Sequence, residues 1–482
     1  MRLSSRIGLY LGPLAALLVL LGPCPPELGV QGQRAGAVAV LMASWWITEA
    51  IPLSATALVP LVALPVLGVA DMETAAAPYA HRLVFLALGG FALARAMERW
   101  GLHRRLALAI VARAGTRPER LVLGFMLASA FLSMWISNTA ACAMLLPVAL
   151  ALGALLRGGS GERSNFVVCL LLGIAYAASI GGVATLIGTP PNAVLASQAS
   201  ELLDVEIGFL DWMKVGLPLS ALLLPCAWLL LTRVLLPPEP LRADAQAVLA
   251  LERARAGRPS RGERTVGVVL LLAVAAWLLR APKTIGPIEL PGLQTWAPLI
   301  DDSTISMAAA LLLFVLPVDA KRGVFALDWK TAEGLPWGIL ILFGGGLSLA
   351  RAMTESGLSA WIGGGLAGVG GLPAWGLLLA VALLFVFLTE VSSNVATASL
   401  AMPILVGLGA SLGIDPLPLM TTAALASSMA FMLPVATPPN AIVFGSGKIP
   451  LPQMVRAGLC LNLIAAVAAA TVGATLVPWL LA

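Results

Sequence analysis

The sequence predicts an all-α polytopic membrane protein, with about 11 transmembrane helices plus two re-entrant helical hairpins in an inverted repeat. Three observations lead there. Of 482 residues, 59% are hydrophobic and only 11% are charged, whereas a soluble domain carries about 25% charged residues. The 48 Gly and 34 Pro lie scattered through apolar runs, a usage that membrane helices tolerate better than soluble ones. Segments of the first half also recur, in order, in the second. The formal net charge of +5 comes with no separate basic domain, so no nucleic-acid partner is expected. Cys24, Cys142, Cys169, Cys226 and Cys460 are isolated, with no Cys-x-x-Cys pair and no nearby His, a pattern that argues against zinc or haem.

Along the chain, Arg2 and Arg6 precede an apolar run without a small-x-small cleavage site, and a second apolar span follows at once. Residues 1–35 therefore read as a first transmembrane helix, not a signal peptide. Spans of about 20 apolar residues are the counting unit. They begin near Ile7, Gly36, Leu53, Arg82, Phe166, Trp212, Thr265, Thr304, Pro336, Pro416 and Met454. Two stretches, 121–156 and 374–410, are about twice that length and carry a polar cluster at the centre. A polar break at membrane depth is tolerable only where the backbone is buried in protein or lines a cavity, so each reads as a re-entrant hairpin. The first repeat spans 36–236, with hairpin 121–156 and a broken helix over 166–200. Residues 237–264, with six Arg against four acids, form a cytoplasmic linker. The second repeat spans 265–482, with hairpin 374–410 and a broken helix over 416–447.

The repeat is visible residue by residue. Leu88 to Leu102 and Gly344 to Leu358 share nine identities in fifteen at an offset of 256, which also carries Ser137-Asn138 onto Ser393-Asn394 and Pro147 onto Pro403. Thr189-Pro190-Pro191-Asn192-Ala193 recurs as Thr437-Pro438-Pro439-Asn440-Ala441 at an offset of 248. Arginines give the orientation. Arg99, Arg104, Arg105, Arg113, Arg117 and Arg120 follow Met97, whereas no Lys or Arg follows Met353 until beyond the centre of the second hairpin. Basic residues stay cytoplasmic, so the repeat is inverted and its binding site is expected near the midplane.

Two kinds of polar cluster carry chemistry. Ser133-Met134-Trp135-Ile136-Ser137-Asn138-Thr139 lies in the first hairpin, and Thr389-Glu390-Val391-Ser392-Ser393-Asn394-Val395 in the second. Ser, Asn and Thr are N-cap residues, and a half-helix beginning there aims unpaired N–H groups and a positive dipole end inward, toward an anion. Their oxygens, with unwound carbonyls, suit a small hard cation such as Na⁺. The alternative is ordinary capping and helix–helix hydrogen bonding. The two Thr-Pro-Pro-Asn segments read as mid-membrane breaks, because Pro frees an upstream carbonyl and favours the start of a new helix; Gly188 and Ala436 precede them. Glu49 and Glu390 are charges within spans. Each is either a proton carrier or a partner of an arginine or helix end, and the pairing reading is preferred, with Arg95 and Arg351 as partners. Neither cluster holds Lys or Arg, so an anionic substrate would need cations and helix dipoles to offset its charge.

On the Trp-Trp-Ile-Thr-Glu-Ala-Ile-Pro segment at 45–52, both Ser-Asn hairpins and both Thr-Pro-Pro-Asn breaks, nearly the whole chain resembles the divalent anion/sodium symporter family, of solute carrier 13 type. The resemblance implies a multi-pass homodimer in a bacterial plasma membrane with a cytoplasmic N-terminus. It implies Na⁺-coupled symport of C4 dicarboxylates by an elevator mechanism, not enzymatic activity. Na⁺-independent exchange and proton-coupled uptake of citrate- or sulfate-like anions are the alternatives. One implied Na⁺ site uses Ser133, Ser137, Asn138 and Gly188; the other uses Thr389, Ser392, Asn394 and Ala436. The implied dicarboxylate site takes Asn138, Thr139, Thr189 and Pro190 from the first half, and Ser393, Asn394, Val395, Thr437 and Pro438 from the second. Val395 departs from the Ser-Asn-Thr pattern and removes one hydroxyl donor.

Overall fold

A computed structural model describes residues 3–155, 164–239, 245–285, 288–366, 368 and 371–481. Residue 156 of the expected first hairpin and residues 240–244 of the expected linker lie outside the described residues. So do 1–2, 157–163, 286–287, 367, 369–370 and 482 of the expected domains.

The described residues are mainly helical, with two short antiparallel strand pairs among them, Lys283–Ile285 with Ile288–Leu290 and Pro317–Asp319 with Val324–Phe325. Among the described residues, six helical segments are long and apolar enough to cross a membrane by length and composition, including Phe209–Leu235 and Leu451–Leu480. Leu3–Leu21 lies along Gly29–Thr48. A methyl at Gly12 would stand 2.8 Å from the Trp45 ring, so the small residue is what permits this approach. Leu11, Leu14, Leu17, Leu18 and Leu21 stay exposed on the other side, as suits a lipid-facing helix.

The single span expected from Leu53 is instead three short pieces, Leu53–Thr56, Val59–Val66 and Met72–Ala76. Pro52, Pro60 and Pro65 explain the interruption, since each removes a backbone donor. Short helices Leu102–Val111 and Leu358–Gly365 follow the repeated Ala-Arg-Ala-Met segments. Gly101 (φ 75°) and Gly357 (φ 77°) turn the chain there, at a left-handed conformation that costs glycine little.

Each hairpin is two helices with a tight tip: Pro118–Ser133 and Asn138–Leu155, then Ala374–Leu388 and Asn394–Leu412. Each broken helix is likewise in two parts: Asn165–Gly182 and Pro190–Leu203, then Leu417–Ser427 and Pro438–Gly445. Both halves pair these parts in the same way. Within each half, the upstream part of the broken helix packs on both arms of the hairpin and on the long helix that follows, Phe209–Leu229 or Leu451–Leu480. The downstream part crosses over to the other half: Pro190–Leu203 packs on Asn394–Leu412 and Leu417–Ser427, and Pro438–Gly445 on Asn138–Leu155 and Asn165–Gly182. The exchange sets the downstream half-helix of each break against the other half.

The linker contains a helix, Ala245–Ala256. Arg104 donates to Glu252 at 2.5 Å, Arg255 to Glu252 at 2.7 Å and Arg105 to Glu263 at 2.8 Å, while Arg105 also donates to Ala256 O and Gly257 O. The Arg104 hydrogen bond is the main reason the Glu252 carboxyl sits below its usual pKa. Stabilisation from a lowered carboxyl pKa is present above the unfolded value and is lost as pH falls through the folded one. Because Arg104 is partly exposed, the tie is worth about 1 kcal/mol at most. Glu252→Gln is therefore expected to speed trypsin cleavage after Arg255 by up to about fivefold at neutral pH. An unchanged digestion rate would show that the linker is held by something else.

Candidate cation and anion site

Both hairpin tips are built on one plan. Ser137 Oγ accepts from Ala140 N at 3.2 Å, and the repeat-related Ser393 Oγ accepts from Ala396 N at 3.5 Å. Each serine caps the returning arm, satisfying an orphan donor of its first turn. The next residue, Asn138 or Asn394, turns its side-chain oxygen back toward the outgoing arm. There it accepts from the Ser133 hydroxyl in the first tip, and from the Thr389 hydroxyl at 2.6 Å in the second.

The breaks supply the rest of the oxygens. In the second half, Thr389 Oγ1 also lies 2.9 Å from Ser427 O. One hydroxyl proton thus faces two acceptors, leaving a buried oxygen cluster short of protons. In the first half, a methyl on Gly188 would stand 2.9 Å from Ser133 O and closer still to Gly182 O. A methyl on Gly182 would stand 2.6 Å from Asn138 Oδ1 and 3.2 Å from Gly188 O. The oxygens of Ser133 and Gly182 thus line the space beside Gly188, and those of Asn138 and Gly188 line the space beside Gly182, spaces that a side chain at either glycine would fill. Hard oxygens in such a buried cradle are the donor set of a hard cation, and the residues fit Na⁺.

Asn192 and Asn440 hold the breaks in shape. Asn192 Nδ2 donates to Gly182 O at 3.2 Å, Val183 O at 3.3 Å and Thr185 O at 2.7 Å; Asn440 Nδ2 donates to Ala430 O and Leu433 O, both at 3.1 Å. Residues 430 and 433 are the counterparts of 182 and 185 at the 248 offset. Carbonyls released where the helix opens are thereby satisfied.

The structure gathers Ser133, Asn138 and Gly188 in one cluster, and Thr389 and Asn394 in the other. It does not add every hydroxyl named from sequence. Ser137 is exposed, and its hydroxyl caps the helix. Ser392 Oγ lies 2.7 Å from Leu388 O and 2.7 Å from Thr397 Oγ1, turned onto its own helices. Ala436 is buried and donates its N–H to Leu433 O at 3.2 Å. Thr139 is exposed on the first turn of its arm, and Val395 is half-buried, packing against the apolar core.

At the starts of the downstream half-helices, Thr189 and Thr437 are both buried in extended backbone. The Thr437 hydroxyl accepts from Asn440 N at 3.3 Å, whereas Thr189 makes no such side-chain cap. Pro190 and Pro438 occupy the first helical positions.

The arginine partner expected for Glu390 is corrected. Arg95 pairs with Glu98 at 3.0 Å, and Arg351 with Glu355 at 2.8 Å and Glu201 at 3.7 Å. The partners of Glu390 are backbone amides and Asn462. Glu49 sits exposed at the left-handed C-cap of Gly29–Thr48. Sequence reasoning missed Gly182, Ser427, Asn192 and Asn440. For the asparagines a signal was present, since both recur with their Thr-Pro-Pro.

The pattern of a family described as "Sodium:sulfate symporter transmembrane region" matches residues 5–482. A relative named sodium-dependent dicarboxylate transporter SdcS, from Staphylococcus saprophyticus, is 41% identical over 483 residues, covering 98% of this chain and 92% of its own. The protein of the same name from Staphylococcus aureus strain USA300 is 40% identical over 474 residues, covering 96% and 89%. Among solved structures, the Alcanivorax borkumensis YdaH transporter superposes with a TM-score of 0.60 at 17% identity, covering 92% of this chain and 99% of that one. That likeness concerns the fold.

Proposed function

The chain belongs to the sodium:sulfate symporter family, and on that premise we propose that it couples Na⁺ entry to uptake of C4 dicarboxylates. It is a multi-pass membrane transporter, not an enzyme. The observation that carries the proposal is the pair of proton-poor oxygen clusters at repeat-related tips. The relatives named as sodium-dependent dicarboxylate transporters support the choice of ion and substrate.

In this reading Na⁺ is cargo. One ion is held by Ser133, Asn138, Gly182 and Gly188, the other by Thr389, Asn394 and Ser427. With both bound, two positive charges offset a doubly negative substrate in a region that supplies no Lys or Arg from either tip. The substrate sits between the tips, against Asn138, Thr139, Ser393 and Asn394. The Thr189 hydroxyl is free to donate to one carboxylate, and Thr437, Pro190 and Pro438 line the half-helix starts. Val395 offers an apolar wall where a hydroxyl would bind a further substituent, which favours a plain dicarboxylate over a citrate-like anion.

The two halves are oppositely oriented in a bacterial plasma membrane, with the N-terminus and the linker cytoplasmic. The bundle of hairpins and broken helices moves as an elevator within a homodimer. Proteoliposomes are expected to take up succinate with an inward Na⁺ gradient and not with K⁺ or choline in its place. Equal uptake in all three salts, or uptake driven by a pH gradient alone, would refute the coupling.

A further inference from the structure

The most asymmetric feature of the paired sites is a buried carboxylate. Glu390 follows Thr389 in the chain and is 3% exposed. Its Oε1 accepts from Phe431 N, Met432 N and Asn462 Nδ2, and its Oε2 from Leu433 N, all at 2.8 Å. Asn462 Oδ1 accepts from Phe431 N at 3.1 Å and so braces the same turn. These amides belong to the second break, between Ser427, whose carbonyl is in the cation cluster, and Thr437.

The first half is assembled without a charge. At the position 256 residues before Glu390 stands Met134. The counterparts of 431–433 are Val183, Ala184 and Thr185, and they are held by neutral groups. Thr185 Oγ1 donates to Met134 O at 2.6 Å, Trp212 Nε1 to Val183 O at 2.8 Å, and Ala184 N to Gly181 O at 3.0 Å.

We propose that Glu390 is a positioning residue that makes the two cation clusters unequal. It fixes the second break and places a carboxylate beside the second cluster, which therefore binds Na⁺ more tightly than the first. The inference rests on reading the clusters as Na⁺ sites.

Two arguments carry it. Burying an anion is costly unless it is fully hydrogen-bonded, and four donors meet that need with no cation. Among the described residues, no Lys or Arg forms an ion pair with Glu390, so its charge is dispersed but not cancelled. At an effective dielectric near 20, a unit charge up to about 12 Å away changes cation affinity on the order of tenfold. The second cluster begins one residue away in the chain. The carboxylate is also occupied on both oxygens, which suits a fixed charge better than a proton shuttle.

The test reads Na⁺ binding without transport, as thermal stabilisation of the detergent-purified full chain during Na⁺ titration. In an Asn138→Ala background, which reports the second cluster, Glu390→Gln should raise the Na⁺ midpoint about tenfold. In an Asn394→Ala background, which reports the first, it should move the midpoint less than about twofold. Glu390→Asp, which keeps the charge, should recover most of the loss. Equal shifts in both backgrounds, or Glu390→Asp behaving like Glu390→Gln, would assign the residue a merely structural role and overturn the proposal. Should Glu390→Gln not fold, the backgrounds alone decide. Asn138→Ala must show the lower Na⁺ midpoint of the two, and the reverse order overturns the inequality. A parent protein with no Na⁺ stabilisation at all would instead remove the sodium reading, and this proposal with it.

Discussion

Asn394→Ala and Asn138→Ala are each expected to abolish Na⁺-driven dicarboxylate uptake while leaving the purified protein folded. Each asparagine supplies the oxygen that a Ser133 or Thr389 hydroxyl faces across its tip. A ligand oxygen to a charged partner in a buried site is worth about 1.5–3 kcal/mol, so Na⁺ affinity should fall about 10- to 100-fold at the altered cluster. If transport needs both ions, as proposed, either loss alone brings uptake to background at ordinary Na⁺. The fold should survive, because both side chains are only half-buried and the helix caps come from Ser137 and Ser393. A melting temperature within a few degrees of the parent, measured beside the uptake assay, separates loss of site from loss of structure. Normal uptake in either variant would show that the cluster is not an ion site.

Gly188→Ala should be as severe by a different route. No ligand is removed; instead a methyl enters the cradle, 2.9 Å from Ser133 O and closer to Gly182 O. The oxygens cannot both keep their places and admit a cation. We expect uptake to disappear, along with the first cluster's share of Na⁺-dependent thermal stabilisation. Gly364→Ala is the matched control. Its methyl would meet nothing within 4 Å, and Ala is the better helix former. It should transport normally and be at least as stable. Transport by Gly188→Ala at parental rates would place the ion elsewhere.

How far the fold could be read from sequence depended on which physical signal each element carries. Long apolar runs with polar centres gave the hairpins, because a polar break inside a membrane has few possible explanations. The Thr-Pro-Pro-Asn recurrence gave both broken helices. The Leu53 region misled because its hydropathy is that of a span, while Pro52, Pro60 and Pro65 divide the backbone. Of the candidate site, Ser133, Asn138, Gly188, Thr389 and Asn394 stand out by residue type and repeat position. The carbonyls of Gly182 and Ser427 could not, since any residue has a carbonyl and only the chain path aims it. Ser392 and Ser137 show the converse: a hydroxyl in the right motif can turn onto its own helix. Glu390 reads from sequence as a charge within a span, with an arginine or a helix end as partner; the structure gives it the amides of an opened helix and Asn462.

The central claim is that two oppositely oriented halves bring their tips together within the membrane, and side-specific cysteine labelling tests it most directly. Thr116 and Leu372 are exposed counterparts at the 256 offset, in the loops that lead into the two hairpins. In a background lacking Cys24, Cys142, Cys169, Cys226 and Cys460, Thr116→Cys and Leu372→Cys would each be treated with a membrane-impermeant maleimide on intact cells. Leu372→Cys is expected to react from outside, and Thr116→Cys only after permeabilisation. Reaction of both from the same side would contradict the claim.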